Sequence, residues 1–145
     1  MFMGEYTHAL DDKGRLTIPA KFREELAYGG VITRGYDKYL VLYTGDVFKK
    51  ITERAQTLSL TNPENRALLR LTYAGAGEAV PDRQGRVLVP PYLRDYAGIQ
   101  SECVIVGVGH AIEIWSAEGW AEQLKLLNDP AVNAARFAAL NLALG

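Results

Sequence analysis

One ten-residue pattern of this chain occurs twice. The run Leu10-Asp11-Asp12-Lys13-Gly14-Arg15-Leu16-Thr17-Ile18-Pro19 returns, at an offset of 71 residues, as Pro81-Asp82-Arg83-Gln84-Gly85-Arg86-Val87-Leu88-Val89-Pro90. Asp11 then meets Asp82, Gly14 meets Gly85, Arg15 meets Arg86, Pro19 meets Pro90 and Arg23 meets Arg94, with Phe22 opposite Leu93. After a small length difference, Leu40-Val41-Leu42-Tyr43 resembles Ile112-Glu113-Ile114-Trp115, and Phe48 falls opposite Trp120. Each half therefore repeats over about 45 residues. A chain built this way folds as two copies of one unit.

The residue types of a unit predict its local structure. Asp followed by Lys-Gly or Arg-Gln-Gly is turn chemistry, because Asp accepts local backbone hydrogen bonds and Gly tolerates positive φ. An incoming strand (residues 5–10 or 78–81) and an outgoing one (15–18 or 86–89) are expected to meet there as a hairpin. Pro19 and Pro90 suit the first position of a helix, and Phe22 with Leu26, or Leu93 with Ala97, sets an apolar stripe over two or three turns. Two further strands follow in each half, at 30–34 and 39–43 and again at 102–108 and 111–115. Four strands and a short helix bury too little surface alone, so each unit is expected to pack on its copy as a pseudo-two-fold barrel. The fold class is α+β and mainly β.

Helical patterns flank the units. Val47, Phe48, Ile51, Ala55 and Leu58 fit one helical face, and Trp120, Leu124 and Leu127 fit an equivalent one. Asn62-Pro63-Glu64 is a helix start with Asn as cap, and the helix is expected to run to Tyr73. A last helix is expected after Asp129-Pro130, running toward Leu144. The organisation is thus a first unit (5–48), linking helices (49–75), a second unit (76–120) and a C-terminal helical tail (121–145).

Composition narrows the function. A chain of 145 residues, 48% hydrophobic and 23% charged, excludes disorder over most of its length and excludes a large two-domain enzyme. The longest apolar stretch of the second half, Cys103 to Ile112, is ten residues long, far short of the roughly 20 that span a bilayer. The opening residues, Met1 to Tyr6, lack the pattern of an export signal, so a cytoplasmic location is expected. The single Cys103 reads as a small buried hydrophobe, and His8 and His110 lack ligand spacing, so neither a metal nor a cofactor is expected.

The net charge of −1 excludes a simple polycation, yet positive charge is concentrated locally. Lys13, Arg15, Lys21 and Arg23 lie in one stretch without an acidic residue, and Arg83, Arg86 and Arg94 lie in another. Arg15 and Arg86 leave the turns at strand starts, where a guanidinium can make a bidentate contact to guanine or pair with phosphate. Asp11 and Asp82, four residues earlier, are placed to hold those guanidinium groups. Lys13 and Arg83 sit at the turn tips and are expected to enter the major groove with Arg15 and Arg86, while Lys21, Arg23 and Arg94 are available for phosphates. A lone pair of this kind reads equally well as structural hairpin closure beside a solvated cationic face. Duplication about a pseudo-two-fold axis instead points to double-stranded DNA.

The residues Met1-Phe2-Met3-Gly4-Glu5-Tyr6 and Leu10-Asp11-x-Lys13-Gly14-Arg15-Leu16-x-Ile18-Pro19-Ala20-Lys21-Phe22-Arg23, with the second Asp82-x-x-x-Arg86, resemble the MraZ family of bacterial transcriptional regulators. The resemblance covers essentially the whole chain. It implies two SpoVT-AbrB-type units in a swapped-hairpin barrel and a ring-like homo-oligomer associated with the nucleoid. It further implies binding to short direct repeats upstream of a division and cell-wall gene cluster that includes its own gene, usually as a repressor. The family's DNA-contacting Asp-x-x-x-Arg motif falls on Asp11 with Arg15 and on Asp82 with Arg86. The second turn departs from the Lys-Gly form of the first, with Arg83-Gln84-Gly85 in its place.

Other functions find less support. Gly107-x-Gly109 has Ile112 where a dinucleotide fingerprint needs its third glycine, and no Gly-Lys-Ser/Thr phosphate loop occurs, so no enzyme is expected. The remaining rival is an oligomeric scaffold or antitoxin-like interaction module, for which Tyr36, Tyr39, Tyr43, Trp115 and Trp120 could supply contact area.

Overall fold

The computed structural model describes residues 1–140. Its first half runs through β1 (Phe2–Ala9), β2 (Arg15–Thr17), α1 (Ala20–Arg23), β3 (Gly30–Arg34), β4 (Leu40–Thr44) and α2 (Gly45–Ala55). Helix α3 (Pro63–Gly75) leads to the second half: β5 (Gly77–Ala79), β6 (Arg86–Leu88), α4 (Pro91–Ala97), β7 (Glu102–Gly109), β8 (Ala111–Ser116) and α5 (Ala117–Leu127), followed by α6 (Pro130–Phe137). The protein is a mixed α+β fold around an antiparallel six-stranded sheet of order β1-β7-β8-β4-β3-β5, with β2 and β6 forming a separate antiparallel ribbon.

The strand order is symmetric about the β8–β4 pair, and its two ends exchange halves. β1 runs along β7 from Phe2 opposite Gly109 to Ala9 opposite Glu102, whereas β5 lies on β3. The expected hairpin between incoming and outgoing strands is therefore corrected: β1 and β2 part after the turn and join different sheets. β1 can satisfy its backbone over eight register pairs on β7, against three residues in β2. Local alternation identifies a strand but not its partner.

The ribbon closes over the main core. Leu16 pairs with Val87 at the ribbon's centre, and both are buried. Ile18, Val89, Phe22 and Leu93 continue this layer against Ile32, Leu40 and Leu42 from one half and Ile105, Ile112 and Ile114 from the other. The rings of Phe2 and Tyr6 meet Phe22 edge-on at 5.2 and 5.4 Å, a geometry favoured by the ring quadrupoles. Removing each large side chain from water contributes about 1.5–3 kcal/mol before entropy is counted. On the sheet's other face Val104, Val106 and Trp115 pack with Tyr39 and Trp120, so β7 is buried on both faces and reads as a continuous apolar run.

The helices depart from expectation mainly at their ends. Pro19 and Pro90 occupy N-cap positions, with Pro91 supplying the first helical residue of α4. α1 has only four residues instead of two or three turns. Beyond it Leu26 N donates to Arg23 O and Gly29 N to Leu26 O, tight i to i+3 turns that swing Leu26 into the core. α2 and α5 are equivalent, each leaving a strand through a hydroxyl cap, Thr44 to Val47 N and Ser116 to Gly119 N. Asn62 caps α3 as expected, and Arg34 ties its far end to β3, donating to Leu71 O at 3.0 Å and Arg70 O at 3.3 Å. α6 starts on the Asp129 cap and ends at Phe137; the expected extension to Leu144 passes outside the described residues.

Candidate nucleic-acid interface

Each duplicated turn is organised by one carboxylate. Asp11 Oδ1 accepts from Lys13 N at 2.9 Å and Arg15 N at 2.8 Å, while Oδ2 accepts from Arg15 Nε at 2.7 Å. Asp82 repeats this: Oδ1 takes Gln84 N and Arg86 N, and Oδ2 takes Arg86 Nε, all at 2.9 Å. Gly14 and Gly85 sit at φ of 77° and 75°, a left-handed conformation that favours glycine, and their N–H groups donate to the carbonyls of Asp11 and Asp82. The substitution of Arg83-Gln84 for Asp12-Lys13 leaves this bonding intact, because only backbone N–H groups at those positions take part.

The electrostatics follow from the same bonds. The backbone N–H of Arg15, ahead of its guanidinium, holds the Asp11 carboxyl below its ordinary value, and Arg86 does the same for Asp82. Both carboxylates are thus ionised at neutral pH. Each arginine is anchored through Nε; among the described residues the Nη groups of Arg15 make no hydrogen bond, while Arg86 Nη1 faces Asp11. The Nη edge of a guanidinium matches the two acceptors that guanine presents in the major groove.

The two turns stand at opposite ends of the short antiparallel β2–β6 ribbon, one leading into Arg15 opposite Leu88 and the other into Arg86 opposite Thr17. Gly85 O accepts from Ile18 N and Gly14 O from Val89 N, each at 2.9 Å, so each turn is stitched to the strand end of the other half. Arg86 Nη1 comes within 3.6 Å of Asp11 Oδ2, an ion pair across the halves with no counterpart from Arg15 to Asp82 among the described residues. Arg15 and Arg86 are both part-buried, with about 30% and 26% of the side chain exposed.

The other expected cations fall into two groups. Lys13 and Arg83 are exposed at the turn tips, and Lys21 is exposed on α1. Arg23 and Arg94 instead fold back against the turns of the opposite half. Arg23 Nε donates to Ile18 O at 2.8 Å, and a Cβ placed on Gly85 would overlap the Arg23 guanidinium. Arg94 stands against Gly14, whose hypothetical Cβ would lie 3.2 Å from Cζ, and its Nε is buried without a hydrogen-bond partner. Residue-by-residue reading of the sequence missed this crossing. Its only trace there is that Arg23 and Arg94 coincide at the repeat offset.

Elsewhere the chemistry is structural. Cys103 is buried, and burial pushes its thiol up to about 12, so little thiolate is present at neutral pH. Burial also raises the Glu113 carboxyl, opposed by a 2.9 Å hydrogen bond from Trp115 Nε1. A small cavity of about 110 Å³ lies between α2, α3 and β4, lined by Tyr36, Tyr43 and Tyr73 among others. Among the described residues no cluster of three or more His, Cys, Asp or Glu could hold a metal, and no helix is long and apolar enough to cross a membrane.

The duplication is reproduced by comparison with known proteins. A family model described as "MraZ protein, putative antitoxin-like" matches residues 1–71 and again residues 72–140. A protein of Thermomicrobium roseum named transcriptional regulator MraZ is 50% identical over 127 residues, 88% of this chain and 89% of that protein. One of Herpetosiphon aurantiacus with the same name is 49% identical over 131 residues, 90% of this chain and 92% of that protein. A third, of Carboxydothermus hydrogenoformans, is 51% identical over 120 residues, covering 83% and 84% of the two chains.

Proposed function

This chain belongs to the MraZ family, and from that membership we propose that it is a sequence-specific regulator of transcription that reads double-stranded DNA through its two Asp-locked arginine turns. It is not an enzyme, in keeping with relatives that are named as transcriptional regulators. The observation that carries the reading is the repeated geometry: Asp11 with Arg15 and Asp82 with Arg86, bonded alike and joined through the Leu16–Val87 ribbon. A scaffold has no use for two guanidinium groups each held by an aspartate four residues earlier through the same Nε bond.

In this reading Arg15 and Arg86 contact guanine edges in the major groove, each supplying about 1–3 kcal/mol of discrimination. Lys13 and Arg83, exposed at the turn tips, enter the groove with them, and Lys21 meets backbone phosphates. We take the exchange of β1 and β5 between halves as the swapped-hairpin barrel of a SpoVT-AbrB-type pair, with units at 5–48 and 76–120, linking helices at 49–75 and a tail at 121–145. A single chain offers few cations, so tandem direct repeats are engaged by a homo-oligomer, and avidity supplies the remaining affinity. The regulated target is the chain's own division and cell-wall gene cluster, which it represses as a cytoplasmic, nucleoid-associated protein.

The test is fluorescence anisotropy on a labelled duplex from upstream of the protein's own gene, against a scrambled duplex, over a salt series. Tight binding to the native duplex that survives moderate salt, lost in Arg15→Ala and Arg86→Ala with assembly preserved, is the expected result. Equal and weak binding to both duplexes would leave an oligomeric scaffold or antitoxin-like module as the better description.

A further inference from the structure

We propose that Arg23 and Arg94 are crossed positioning residues, each fixing the DNA-reading turn of the opposite half and not that of its own. The inference rests on the DNA-reading assignment of Arg15 and Arg86 made above. Gly85 immediately precedes Arg86 in the chain, and the Arg23 guanidinium occupies the space that a side chain at Gly85 would need. Arg23 is itself pinned by its 2.8 Å bond to Ile18 O, and Ile18 N in turn donates to Gly85 O. A closed path of two hydrogen bonds and one packed face therefore links Arg23 to the residue from which Arg86 starts. By the repeat offset, Arg94 packs on Gly14, which precedes Arg15, while Val89 N donates to Gly14 O.

A phosphate-binding arginine would extend its charge toward solvent. Arg23 commits Nε to the protein, lays its planar group on a glycine and is only part-exposed. Planarity is what the site uses: a lysine would retain the charge but could neither cover Gly85 nor donate from Nε along the same line. The two supports are unequal. Arg23 has its carbonyl partner, whereas Arg94 Nε has none, so Arg23 is the firmer of the two.

Three duplex-binding measurements on the full-length protein test this. A double-mutant cycle crosses Arg23→Ala with Arg86→Ala and with Arg15→Ala, each variant first shown to melt cooperatively. Arg23→Lys serves as the conservative variant and replaces Arg23→Ala in the cycle if the latter does not fold. The operator-to-scramble ratio is measured together with the salt slope.

The expected result is a loss of that ratio of about 5- to 150-fold in Arg23→Ala, the range of one bidentate base contact. The salt slope stays unchanged, Arg23→Lys does not rescue, and the loss is non-additive with Arg86→Ala but additive with Arg15→Ala. The inference is overturned if the slope falls by about 0.9, the signature of one lost phosphate contact. Rescue by Arg23→Lys, or coupling to Arg15 in place of Arg86, overturns it equally. Failure of the wild-type protein to distinguish the duplexes would remove the DNA-reading assignment and this inference with it; crossed coupling absent from a discriminating wild type would remove this inference alone.

Discussion

Arg86 Nη1 lies 3.6 Å from Asp11 Oδ2 while Arg86 Nε donates to Asp82 at 2.9 Å, so a single arginine spans the carboxylates of both repeats. Asp11 for its part serves Arg15 at 2.7 Å and faces Arg86, whereas the only guanidinium paired with Asp82 among the described residues is that of Arg86. The duplication is thus symmetric in backbone and asymmetric in charge.

Asp11→Asn is accordingly expected to weaken operator binding more than Asp82→Asn. The amide keeps an acceptor for the turn's N–H groups but gives up the charge that orients Arg15 and draws in Arg86. We expect a loss of roughly 10-fold or more for Asp11→Asn, and a smaller one for Asp82→Asn, by anisotropy at fixed salt. Equal losses would mean that the 3.6 Å approach has no role in reading DNA.

Acid should act on the same turns. Both carboxyls lie below their ordinary value of 3.8, held there first by the N–H groups of Arg15 and Arg86. A depressed value in the folded state contributes stability that is fully present above 3.8 and is lost as pH falls through the folded value. The aspartates' contribution to the melting temperature should therefore hold until about pH 4 and then drop, and the acid-side drop should be shallower in an Asp11→Asn/Asp82→Asn variant. Circular dichroism melts across that range decide it; parallel curves would place the acid sensitivity elsewhere.

How much of this was legible beforehand depended on how local the physics was. Asp11, Gly14, Arg15 and Pro19 declare a turn and a strand end through their own side chains, and the second copy declared that the pattern was not accidental. The position of β3, β4, β7 and β8 was legible for the same reason. Pairing was not, since Phe2 finds Gly109 and Gly77 finds Ile32 through backbone groups that carry no sequence label. The site was legible as a list of cations but not as an arrangement. Nothing in Arg23 itself says that it will rest on Gly85, because that contact exists only once the ribbon has brought the halves together.

The ribbon carries both turns of the site, and its centre is sensitive to volume. Leu16 is fully buried opposite Val87, between sheet and ribbon. Leu16→Ala should cost about 2–5 kcal/mol in urea unfolding, from lost transfer energy and the cavity left behind. A cost below 1 kcal/mol would mean that the ribbon collapses to fill the space, and the turns should then shift and DNA binding fall out of proportion to stability.

Glu113 should respond to pH in the opposite sense to the aspartates. It sits on β8 opposite Val41 and Val106, bonded to Trp115 Nε1, and burial raises its carboxyl above the ordinary 4.5. A carboxyl raised by folding holds its proton longer in the native state than in the unfolded chain. Stability is consequently lost as pH climbs from 4.5 through the folded value, and is level beyond it. Glu113→Gln removes that loss while keeping an oxygen for the Trp115 indole. The variant should melt higher than wild type at pH 7, with the gap closing on acidification toward about pH 4. A gap that is constant with pH would trace the effect to packing and not to ionisation. With the aspartates losing their contribution below 3.8 and Glu113 gaining from mild acid, the wild-type stability profile should crest on the acid side of neutrality, and Glu113→Gln should flatten that crest.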